Sequence, residues 1–354
     1  MSESYSNLRI FKHPEKLENL INGEITAPIM ARIKPTNVCD QFCFYCSTPV
    51  KATYVKDAED EFKFKDSIPW DILERTINEL ADIGVKSIIL SGGGEPLVYP
   101  KIQDAIKLIY KNNMDLAIIT NGWKLNGDKA KLLAKAKWVR ISLGSSDAKR
   151  YCEMRGIPKD SFNTICNNIK EFNKIREGKL GINYVVHKKN YDMIYDTAIL
   201  FKHLGIDNIK YAPIIHKDDP IGYHKDIRKK INIKKVDDEL SDSNFKVIDK
   251  YENSLQSSMN FYREYDKCPI MQIVTSIAAN CKVYFCHDKA YMRGNSLGDL
   301  KKNTFKEIWF SDKTKGIFDS FKAKETCKHH CVWDIRNKMI LEYINTRKEE
   351  ENFI

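Results

Sequence analysis

Short apolar runs alternate with longer amphipathic stretches along residues 30–215. In the first amphipathic stretch, Trp70–Gly84, apolar residues recur at helical spacing from Ile72 to Ile83, and a glycine ends the pattern. The predicted strands are Met30–Pro35, Ser87–Leu90, Leu116–Thr120, Val139–Leu143, Leu180–His187 and Asn208–Ile215. The other predicted helices are Lys101–Asn112, Asp128–Ala136, Phe162–Arg176 and Tyr191–Leu204. Six strand–helix units with short connections indicate a parallel sheet, open or barrel-like, with its chemistry in the loops after the strands.

This rhythm stops at His216. The segment that follows is polar and rich in charge, and we expect it to form a helical connector. From Cys268 the composition changes, because five of the ten cysteines lie between positions 268 and 331. The expected divisions are an N-terminal extension at 1–28, an α/β unit at 29–215, the connector at 216–267, a small cysteine-rich domain at 268–335 and a C-terminal helix at 336–354.

The composition is typical of a globular protein with a hydrophobic core, since 42% of the 354 residues are hydrophobic and 30% are charged. No apolar run approaches the ~18–20 residues of a membrane span. The charged N-terminus also lacks the apolar segment of a secretory signal. We therefore expect a cytoplasmic protein with no membrane partner, whose ten cysteines serve metal or redox chemistry rather than disulfides.

The net charge of +10, from 58 Lys and Arg against 48 Asp and Glu, is spread along the chain. Its densest run, at 225–235, is interpreted as a solvated helix or loop face. An RNA-binding patch is the alternative, but the run lacks interleaved aromatic residues and any recognisable nucleic-acid-binding module. Nucleic acid is therefore not the expected partner.

Three cysteines, Cys39, Cys43 and Cys46, follow the first predicted strand in a C-x3-C-x2-C loop. Thiolates at this spacing can converge on one metal centre. The alternatives are a zinc site without a nearby fourth ligand, or three unrelated core cysteines. A 4Fe–4S cluster with three protein ligands leaves one iron open to a substrate or cofactor. After the second predicted strand, Gly92-Gly93-Gly94 would let a ligand approach backbone amides closely.

Together, the cysteine loop and the glycine triplet resemble the radical S-adenosylmethionine (radical SAM) superfamily over roughly residues 29–215. The resemblance implies an α/β fold, a partial (β/α)6 TIM-like barrel. It also implies that Cys39, Cys43 and Cys46 ligate a 4Fe–4S cluster, whose fourth iron is chelated by the amino and carboxylate groups of S-adenosylmethionine. Tyr45, just before the third cysteine, then lies against the adenine.

The resemblance extends to the contact with the amino group of S-adenosylmethionine, which it assigns to Gly92, Gly93, Gly94 and Glu95. The turn Thr120-Asn121-Gly122 after the third strand is also typical of the family, and Asn121 is its candidate cofactor-binding residue.

Three further residues or segments resemble weaker family contacts. Ser142 corresponds to a contact with ribose or carboxylate, and Ile209–Pro213 corresponds to a contact with adenine. Small polar residues at strand ends are also common in turns. Where the family has Ser-Leu-Asp, this chain has Gly144 in place of the acid, so an acidic role there is in doubt. Arg155 is a candidate for a salt bridge to the cofactor carboxylate, with a surface helix arginine as the alternative.

A second set of cysteines follows the pattern C-x12-C-x4-C-x40-C-x3-C, beginning at Cys268. Such cysteines could hold zinc or a second iron–sulfur cluster. Next to a radical SAM core, the pattern resembles a twitch/SPASM auxiliary-cluster domain, in which Cys281 stands where glycine is usual. The resemblance implies one auxiliary 4Fe–4S cluster, with the ligands Cys268, Cys286, Cys327 and Cys331.

Three cysteines remain, namely Cys152, Cys166 and Cys281. A small buried apolar side chain is the usual role of such a cysteine. The alternative is a donor of a hydrogen atom to a substrate radical, as in the family's epimerases, and Cys152 is the candidate catalytic residue for it. His329 and His330 flank the last cysteine. We expect them to be solvated residues at the edge of the cluster, with tuning or replacement of a ligand as the alternative.

The resemblance implies a radical mechanism. An external one-electron donor, such as a flavodoxin- or ferredoxin-like protein, reduces the first cluster. The cluster then cleaves S-adenosylmethionine to methionine and a 5′-deoxyadenosyl radical, which abstracts a hydrogen atom from the substrate. If the auxiliary cluster accepts the remaining electron, the result is a two-electron oxidation. The cysteine spacing is similar to that of the family's aminocyclitol dehydrogenases.

We expect a small polar substrate such as a sugar or aminocyclitol, because the 28 residues before the first strand are few for a peptide-binding module. The alternatives are an epimerase, a peptide-modifying enzyme, an RNA-modifying radical enzyme and a non-redox zinc protein. The loops expected to contact the substrate, 48–66 and 216–267, have no recognisable motif.

Overall fold

The computed structural model describes residues 6–46, 61–215, 219–259 and 262–346. Of the loops expected to contact the substrate, residues 48–60, 216–218 and 260–261 lie outside this part of the chain. The strands are β1 Met30–Ile33, β2 Ser87–Leu90, β3 Asp115–Thr120, β4 Trp138–Ser142, β5 Lys179–Val186, β6 Asn208–Pro213, β7 Lys246–Asp249, β8 Val274–Ile277, β9 Lys282–Tyr284 and β10 Ser296–Asp299.

Helices follow most strands and cover one face of the sheet. They are α1 Pro14–Ile21, α2 Trp70–Asp82, α3 Ile102–Lys111, α4 Gly127–Leu133, α5 Ala148–Arg155, α6 Ser161–Ile175, α7 Ile194–His203, α8 Pro220–Arg228, α9 Ile233–Leu240, α10 Tyr251–Met259, α11 Ile270–Ile273, α12 Phe305–Trp309, α13 Asp312–Ser320, α14 Ala323–Thr326 and α15 Asp334–Asn345. In the described residues, we find no helix with the length and apolar character needed to cross a bilayer.

The described strands form one ten-stranded sheet in the order β10-β9-β8-β1-β2-β3-β4-β5-β6-β7. Strands β1 to β7 are parallel and stand in chain order. Strand β8 lies parallel to β1 on its other side, while β9 and β10 are antiparallel. The α/β class, the six predicted strand–helix units and the cysteine-rich C-terminal region are therefore confirmed.

Two elements differ from the expectations. The segment expected to be a helical connector contains helices, but also β7, which pairs with β6 and buries Val247 in the core. The two apolar residues of this strand stand between Lys246 and Asp249, so no apolar run marks it in the sequence. Helix α5 was not predicted, because its side chains form no marked apolar stripe. It begins where the Asp147 carboxylate accepts the Arg150 N–H at 2.6 Å and ends at Gly156.

Alternate residues of the parallel strands face opposite sides of the sheet. Ala31 and Ile33 of β1 are packed into the core beneath the helices. Arg32 of β1 and Lys210 of β6 point to the other side, here called the interior face.

Much of the C-terminal region shares the core of the parallel strands, while other parts of it form two smaller hydrophobic clusters. The indole of Trp309 is fully buried, stacks on Phe305 with ring centroids 5.5 Å apart, and donates its N–H to the Thr26 carbonyl at 2.9 Å. The backbone N–H of Phe305 donates to the Glu79 carboxylate of α2 at 2.6 Å. The two regions therefore support each other.

We expect Trp309→Ala to lower the free energy of unfolding by about 3–5 kcal/mol, because the change opens a cavity in the shared core. Unfolding in denaturant under anaerobic conditions measures this loss. Phe310→Ala is the matched control, since the neighbouring ring is 42% exposed and its removal should change the free energy by at most about 0.5 kcal/mol. Equal losses in both variants would contradict a shared core.

Candidate functional site

The cysteine loop, defined here as Cys39–Cys46, contains no helix or strand. Its backbone is held on one side by the last residues of α5. The Phe42 N–H donates to the Arg155 carbonyl at 2.7 Å, and the Phe44 N–H donates to the Met154 carbonyl at 3.2 Å. The loop with the three predicted ligands is therefore docked against the end of a helix that the sequence pattern did not predict.

On its other side, the cysteine loop and the residues just before it meet the turn after β2. The Gly94 N–H donates to the Thr36 carbonyl at 3.0 Å, and the Glu95 N–H donates to the Val38 carbonyl at 2.9 Å. A Cβ on Gly94 would lie only 2.0 Å from the Val38 carbonyl oxygen. The sequence analysis expected a ligand to approach the amides of this turn. In the structure, the amides of Gly94 and Glu95 instead donate to backbone carbonyls of the same chain, and only glycine at position 94 leaves room for this contact.

Gly93 leaves room for Asn37, a fully buried side chain that joins three segments. A Cβ on Gly93 would lie 2.1 Å from the Asn37 Oδ1. That oxygen accepts the Tyr291 hydroxyl at 2.5 Å, while the Asn37 Nδ2 donates to the Lys63 carbonyl at 2.9 Å. Tyr291 lies in the cysteine-rich C-terminal region, so this region reaches the base of the cysteine loop.

Glu95 and Asn121, both predicted site residues, are in direct contact. The buried Glu95 carboxylate accepts hydrogen bonds from the Thr120 hydroxyl at 2.6 Å, the Asn121 N–H at 2.7 Å and the Leu97 N–H at 3.0 Å. Burial raises the pKa of Glu95 to about 7, despite these donors. The Asn121 side chain donates to the Asp40 carboxylate at 2.7 Å. The exits of β2 and β3 are thereby tied to the cysteine loop.

Arg155 is 4% exposed, so its interpretation as a surface arginine is contradicted. Its guanidinium donates to the Gln41 side chain at 2.8 Å and to the Ser142 carbonyl at 2.7 Å. It also lies 5.6 Å from the centre of the Tyr45 ring. Burial alone would lower its pKa, but the neighbouring Cys43 thiol and phenols raise the pKa above its ordinary value. Arg155 therefore joins β4, the cysteine loop and the predicted adenine platform.

His187 is a site residue that sequence reasoning missed. Its fully buried ring lies 4.9 Å from the ring of Tyr45 and 5.0 Å from that of Phe44. Its Nδ1 accepts the Lys189 N–H at 3.1 Å, and burial lowers its pKa to about 3, so the ring is neutral. The available signal was its place at the end of a predicted strand, beside the other strand exits.

Several buried polar atoms have no hydrogen-bond partner among the described residues. Two of them, the His187 Nε2 and the Arg155 Nε, belong to side chains that pack near the Tyr45 ring, and the third is the Asn183 Oδ1 on β5. Asn183 is the register partner of Ser142 on the neighbouring strand. Buried polar atoms are ordinarily hydrogen-bonded, so this group fits a polar ligand such as S-adenosylmethionine.

The four C-terminal cysteines predicted as ligands are electrostatic neighbours. Burial raises the pKa of Cys268 to about 11, with Cys327 as the next contributor, and raises the pKa of Cys286, with contributions from Cys331 and Cys268. The Asn337 Nδ2 donates to the Cys268 Sγ at 3.3 Å, from a fully buried position on α15. This donor set fits a shared metal centre, and the supporting asparagine was not predicted.

Cys281 lies apart from those four cysteines and is buried at the turn between β8 and β9 with φ of +63°. That left-handed conformation favours glycine, the residue usual at this position in the resembling domain. Cys152 is 3% exposed in the hydrophobic core, and its Sγ donates to the Lys159 carbonyl at 3.3 Å. Cys166 also packs against that core. These placements match a small buried side chain better than a hydrogen-atom donor.

The histidines beside Cys331 are half-buried, rather than solvated as expected. Burial lowers the pKa of His329 to about 3 and that of His330 to about 4. The Asp288 carboxylate lies 4.0 Å from the His329 Nε2, and the Arg263 guanidinium donates to the His329 carbonyl.

The interior face carries a group of cations that the sequence did not predict. Arg32 and Lys34 extend from β1, Arg140 from β4 and Lys210 from β6. Burial, followed by the charges of Arg140 and Arg32, lowers the pKa of Lys210 from 10.5 to about 7. Burial and the charge of Arg32 lower the pKa of Lys34 to about 8.

Comparison with known proteins identifies two domains. Residues 33–201 match the radical SAM superfamily, and residues 268–332 match SPASM, an iron–sulfur cluster-binding domain. These matches confirm the resemblance inferred from the cysteine spacing and the glycine triplet, and they make S-adenosylmethionine and iron–sulfur clusters the cofactors.

The curated relatives cover part of the chain. A GTP 3′,8-cyclase of Clostridium perfringens is 36% identical over 130 residues, which are 36% of this chain and 38% of that protein. A probable GTP 3′,8-cyclase of Saccharolobus islandicus is 24% identical over 221 residues, 58% of this chain and 66% of that protein. The chain therefore spans about two fifths to two thirds of the length of these relatives.

Solved structures share the fold over most of the chain. SuiB of Streptococcus suis bound to S-adenosylmethionine has a TM-score of 0.63 at 19% identity, covering 94% of this chain and 80% of that one. Native anSMEcpe with bound AdoMet has a TM-score of 0.59 at 18% identity, covering 88% of each chain. At these identities, the likeness shows the fold alone.

We expect Gly94→Ala to reduce the iron bound by the purified protein, because the new Cβ displaces the cysteine loop from the turn after β2. Anaerobic iron and sulfide analysis measures the loss. Gly316→Ala is the control, since a Cβ there meets open space. Full iron content in Gly94→Ala would show that the backbone contact does not hold the loop.

We expect Lys210→Met to change how stability depends on pH. Between pH 7 and 10.5, the unfolded chain holds a proton on Lys210 that the folded chain has released. The stability contributed by this group therefore rises with pH in that window, by at most about 1.4 kcal/mol per pH unit. The advantage of the variant over the wild type should be greatest near pH 7 and shrink towards pH 9.

Denaturant unfolding at pH 7, 8 and 9 measures this difference. Lys174→Met is the control, because that side chain is 67% exposed on α6. Parallel stability curves for Lys210→Met and the wild type would contradict the lowered pKa of Lys210.

Proposed function

Since the chain carries a radical SAM domain followed by a SPASM iron–sulfur domain, we propose that it is a radical enzyme that oxidises a small polar molecule. The observation that carries this proposal is the docked cysteine loop. Tyr45 of this loop lies near Arg155 and His187, each of which has a buried nitrogen without a described partner. When bound there, a reduced cluster and S-adenosylmethionine supply a 5′-deoxyadenosyl radical that takes a hydrogen atom from the substrate.

The residues of the cysteine loop would divide the work of holding these cofactors. Cys39, Cys43 and Cys46 would hold a 4Fe–4S cluster through three thiolates, which leaves one coordination position for S-adenosylmethionine. The Tyr45 ring would lie against the adenine. The neutral ring of His187 packs against the Tyr45 ring, with the ring centroids 4.9 Å apart.

Two residues would orient the polar end of S-adenosylmethionine. Arg155 is anchored by Gln41 and by the Ser142 carbonyl, and its Nε has no described partner. That nitrogen could therefore donate to the cofactor carboxylate without disturbing the anchoring bonds. Ser142 stands at the end of β4, beside the unpartnered Asn183 Oδ1, where ribose hydroxyls would find partners.

The C-terminal cysteines would hold an auxiliary cluster. Four thiolates from Cys268, Cys286, Cys327 and Cys331 would leave that cluster no open iron. Its role would then be to accept the second electron from the substrate, which makes the net reaction a two-electron oxidation. Cys152 has no part in this scheme, since its thiol is committed to the Lys159 carbonyl. A flavodoxin- or ferredoxin-like protein would supply the electron that reduces the cluster of the cysteine loop.

The substrate class follows from the interior face and from the relatives. The interior face carries Arg32, Arg140 and Lys210 among its side chains, so it suits a polar molecule better than an apolar one. The curated relatives are named for a reaction of GTP, which is a small molecule rather than a peptide. Both observations support a small polar substrate.

We expect wild-type protein prepared anaerobically to hold about eight iron atoms per chain, and the Cys39→Ala, Cys43→Ala, Cys46→Ala triple variant to hold about four. With a chemical reductant and S-adenosylmethionine, the wild type should form 5′-deoxyadenosine and the triple variant should form none. Iron analysis and chromatography measure the two quantities.

Cys166→Ala is the matched control, and it should keep both the iron and the 5′-deoxyadenosine activity. A wild-type protein that binds zinc without sulfide would overturn the radical proposal. A wild type with about four irons that are all lost in the triple variant would overturn the auxiliary cluster and the two-electron oxidation.

A further inference from the structure

The C-terminal helix α15 brings a buried asparagine to the first cysteine of the C-terminal set. Asn337 is fully buried, and its Nδ2 lies 3.3 Å from the Cys268 Sγ. The match to the SPASM domain ends at residue 332, whereas α15 begins at Asp334. The contact to Cys268 therefore comes from a helix beyond the matched domain, in a part of the chain for which the sequence suggested no function.

The orientation of the Asn337 amide follows from its neighbours. Its Oδ1 accepts the Ile270 N–H at 3.1 Å. Because a backbone N–H can only donate, the amide oxygen must face Ile270, which leaves the nitrogen facing the sulfur. The Oδ1 lies farther from the Cys268 Sγ, at 3.6 Å, and could accept only from a protonated thiol. A thiolate bound to a cluster carries no proton, so the Nδ2 contact is the one that such a sulfur would keep.

The second hydrogen of the Nδ2 is also committed. The Tyr265 hydroxyl lies 3.3 Å from the Nδ2 and donates to the Asp334 carboxylate at 2.9 Å. A hydroxyl that donates its single hydrogen to a carboxylate can only accept from the amide. Asp334 lies one turn before Asn337 on the same face of α15, and its carboxylate is 3.4 Å from the buried Arg263 guanidinium. These contacts hold the amide in place, with one hydrogen left for the sulfur.

A hydrogen bond donated to a cluster ligand affects the reduction potential of the cluster. Reduction adds one electron, which increases the negative charge on the ligand sulfurs, so the donor stabilises the reduced form more than the oxidised form. The fixed Asn337 amide meets this requirement, because it is a neutral donor enclosed away from water, where a hydrogen bond is electrostatically stronger.

We infer that Asn337 is a positioning residue of the auxiliary site, which donates to the Cys268 thiolate and raises the reduction potential of the auxiliary cluster. This inference rests on the proposed function, because it concerns the cluster proposed to accept the second electron from the substrate. A higher potential favours that transfer of one electron from the substrate radical, in which no bond to Cys268 forms or breaks.

The test is a redox titration of the anaerobic holoenzyme, followed by electron paramagnetic resonance. The signal of the auxiliary cluster is the one that S-adenosylmethionine leaves unshifted. At the electrode potential where half of the wild-type auxiliary cluster is reduced, Asn337→Leu should show a ratio of reduced to oxidised cluster at least about threefold lower, which is the effect of losing a weak hydrogen bond. Iron content of each variant checks that both clusters are bound.

Asn337→Asp is the second variant. It keeps an oxygen for the Ile270 N–H but replaces the donor with a carboxylate, so the ratio should fall further than in Asn337→Leu. Tyr265→Phe removes a hydroxyl from the same network and leaves the donor, so it should titrate like the wild type. Asn345→Leu, an exposed change on the same helix, should also titrate like the wild type.

A wild-type potential in both Asn337 variants, with full iron content, would overturn the inference. An equal shift in Tyr265→Phe would overturn it too, because the donor would then not be what sets the potential. Loss of the auxiliary iron in both Asn337 variants would show that Asn337 holds the cluster rather than tuning it, and this result would also overturn the inference.

The iron content and the 5′-deoxyadenosine formed by the wild type keep this inference separate from the proposed function. A wild type with about four irons, all lost in the triple variant, overturns the auxiliary cluster and this inference together. A wild type with both clusters, whose auxiliary potential the Asn337 variants do not change, overturns the inference alone. A shifted potential in a protein that yields no 5′-deoxyadenosine supports the inference and overturns the radical proposal.

Discussion

The cysteine loop depends on hydrogen bonds from its neighbours, because it has no secondary structure of its own. The end of α5 binds one side of the loop, and the turn after β2 binds the stretch that leads into it. Gly94 is needed for the second contact, since any side chain there would overlap the Val38 carbonyl. The positions of the three thiols are thus set by strand exits at one edge of a parallel sheet, where such folds concentrate their chemistry.

A second constraint is the cost of leaving polar groups unsatisfied near this loop. A buried donor or acceptor without a partner costs about 1–3 kcal/mol, and the described residues leave such atoms on Arg155, Asn183 and His187. The cations of the interior face add electrostatic repulsion, which is visible in the lowered pKa of Lys210. A bound polar ligand would satisfy the unpartnered atoms, so their cost to the stability of the empty protein would be recovered as binding affinity.

The sequence could predict the elements that depend on local patterns. The strand–helix alternation predicted the first six strands, and the spacing of Cys39, Cys43 and Cys46 predicted the radical SAM resemblance that residues 33–201 confirm. It could not predict β7, whose two apolar residues stand between charged ones, or α5, which has no apolar stripe. The sequence also could not predict contacts between segments that are distant along the chain.

His187 and Asn37 illustrate those long-range contacts. The first meets Tyr45 across the strand exits, and the second accepts the Tyr291 hydroxyl from the C-terminal region. No motif marks either residue as part of a site, although His187 stands at the end of a predicted strand. Cys281 is a further case. Its positive φ explains why glycine is usual at this position, but a cysteine in the sequence gives no sign of such a backbone conformation.

The central claim is that the docked cysteine loop holds a cluster with one iron open to S-adenosylmethionine. Electron paramagnetic resonance of the dithionite-reduced protein, recorded before and after adding S-adenosylmethionine, tests it most directly. The account predicts that the cofactor shifts the g values of one cluster signal, and that this signal is missing from Cys43→Ala while a second signal remains. A spectrum that S-adenosylmethionine leaves unchanged, or a shifted signal that persists in Cys43→Ala, would contradict the claim.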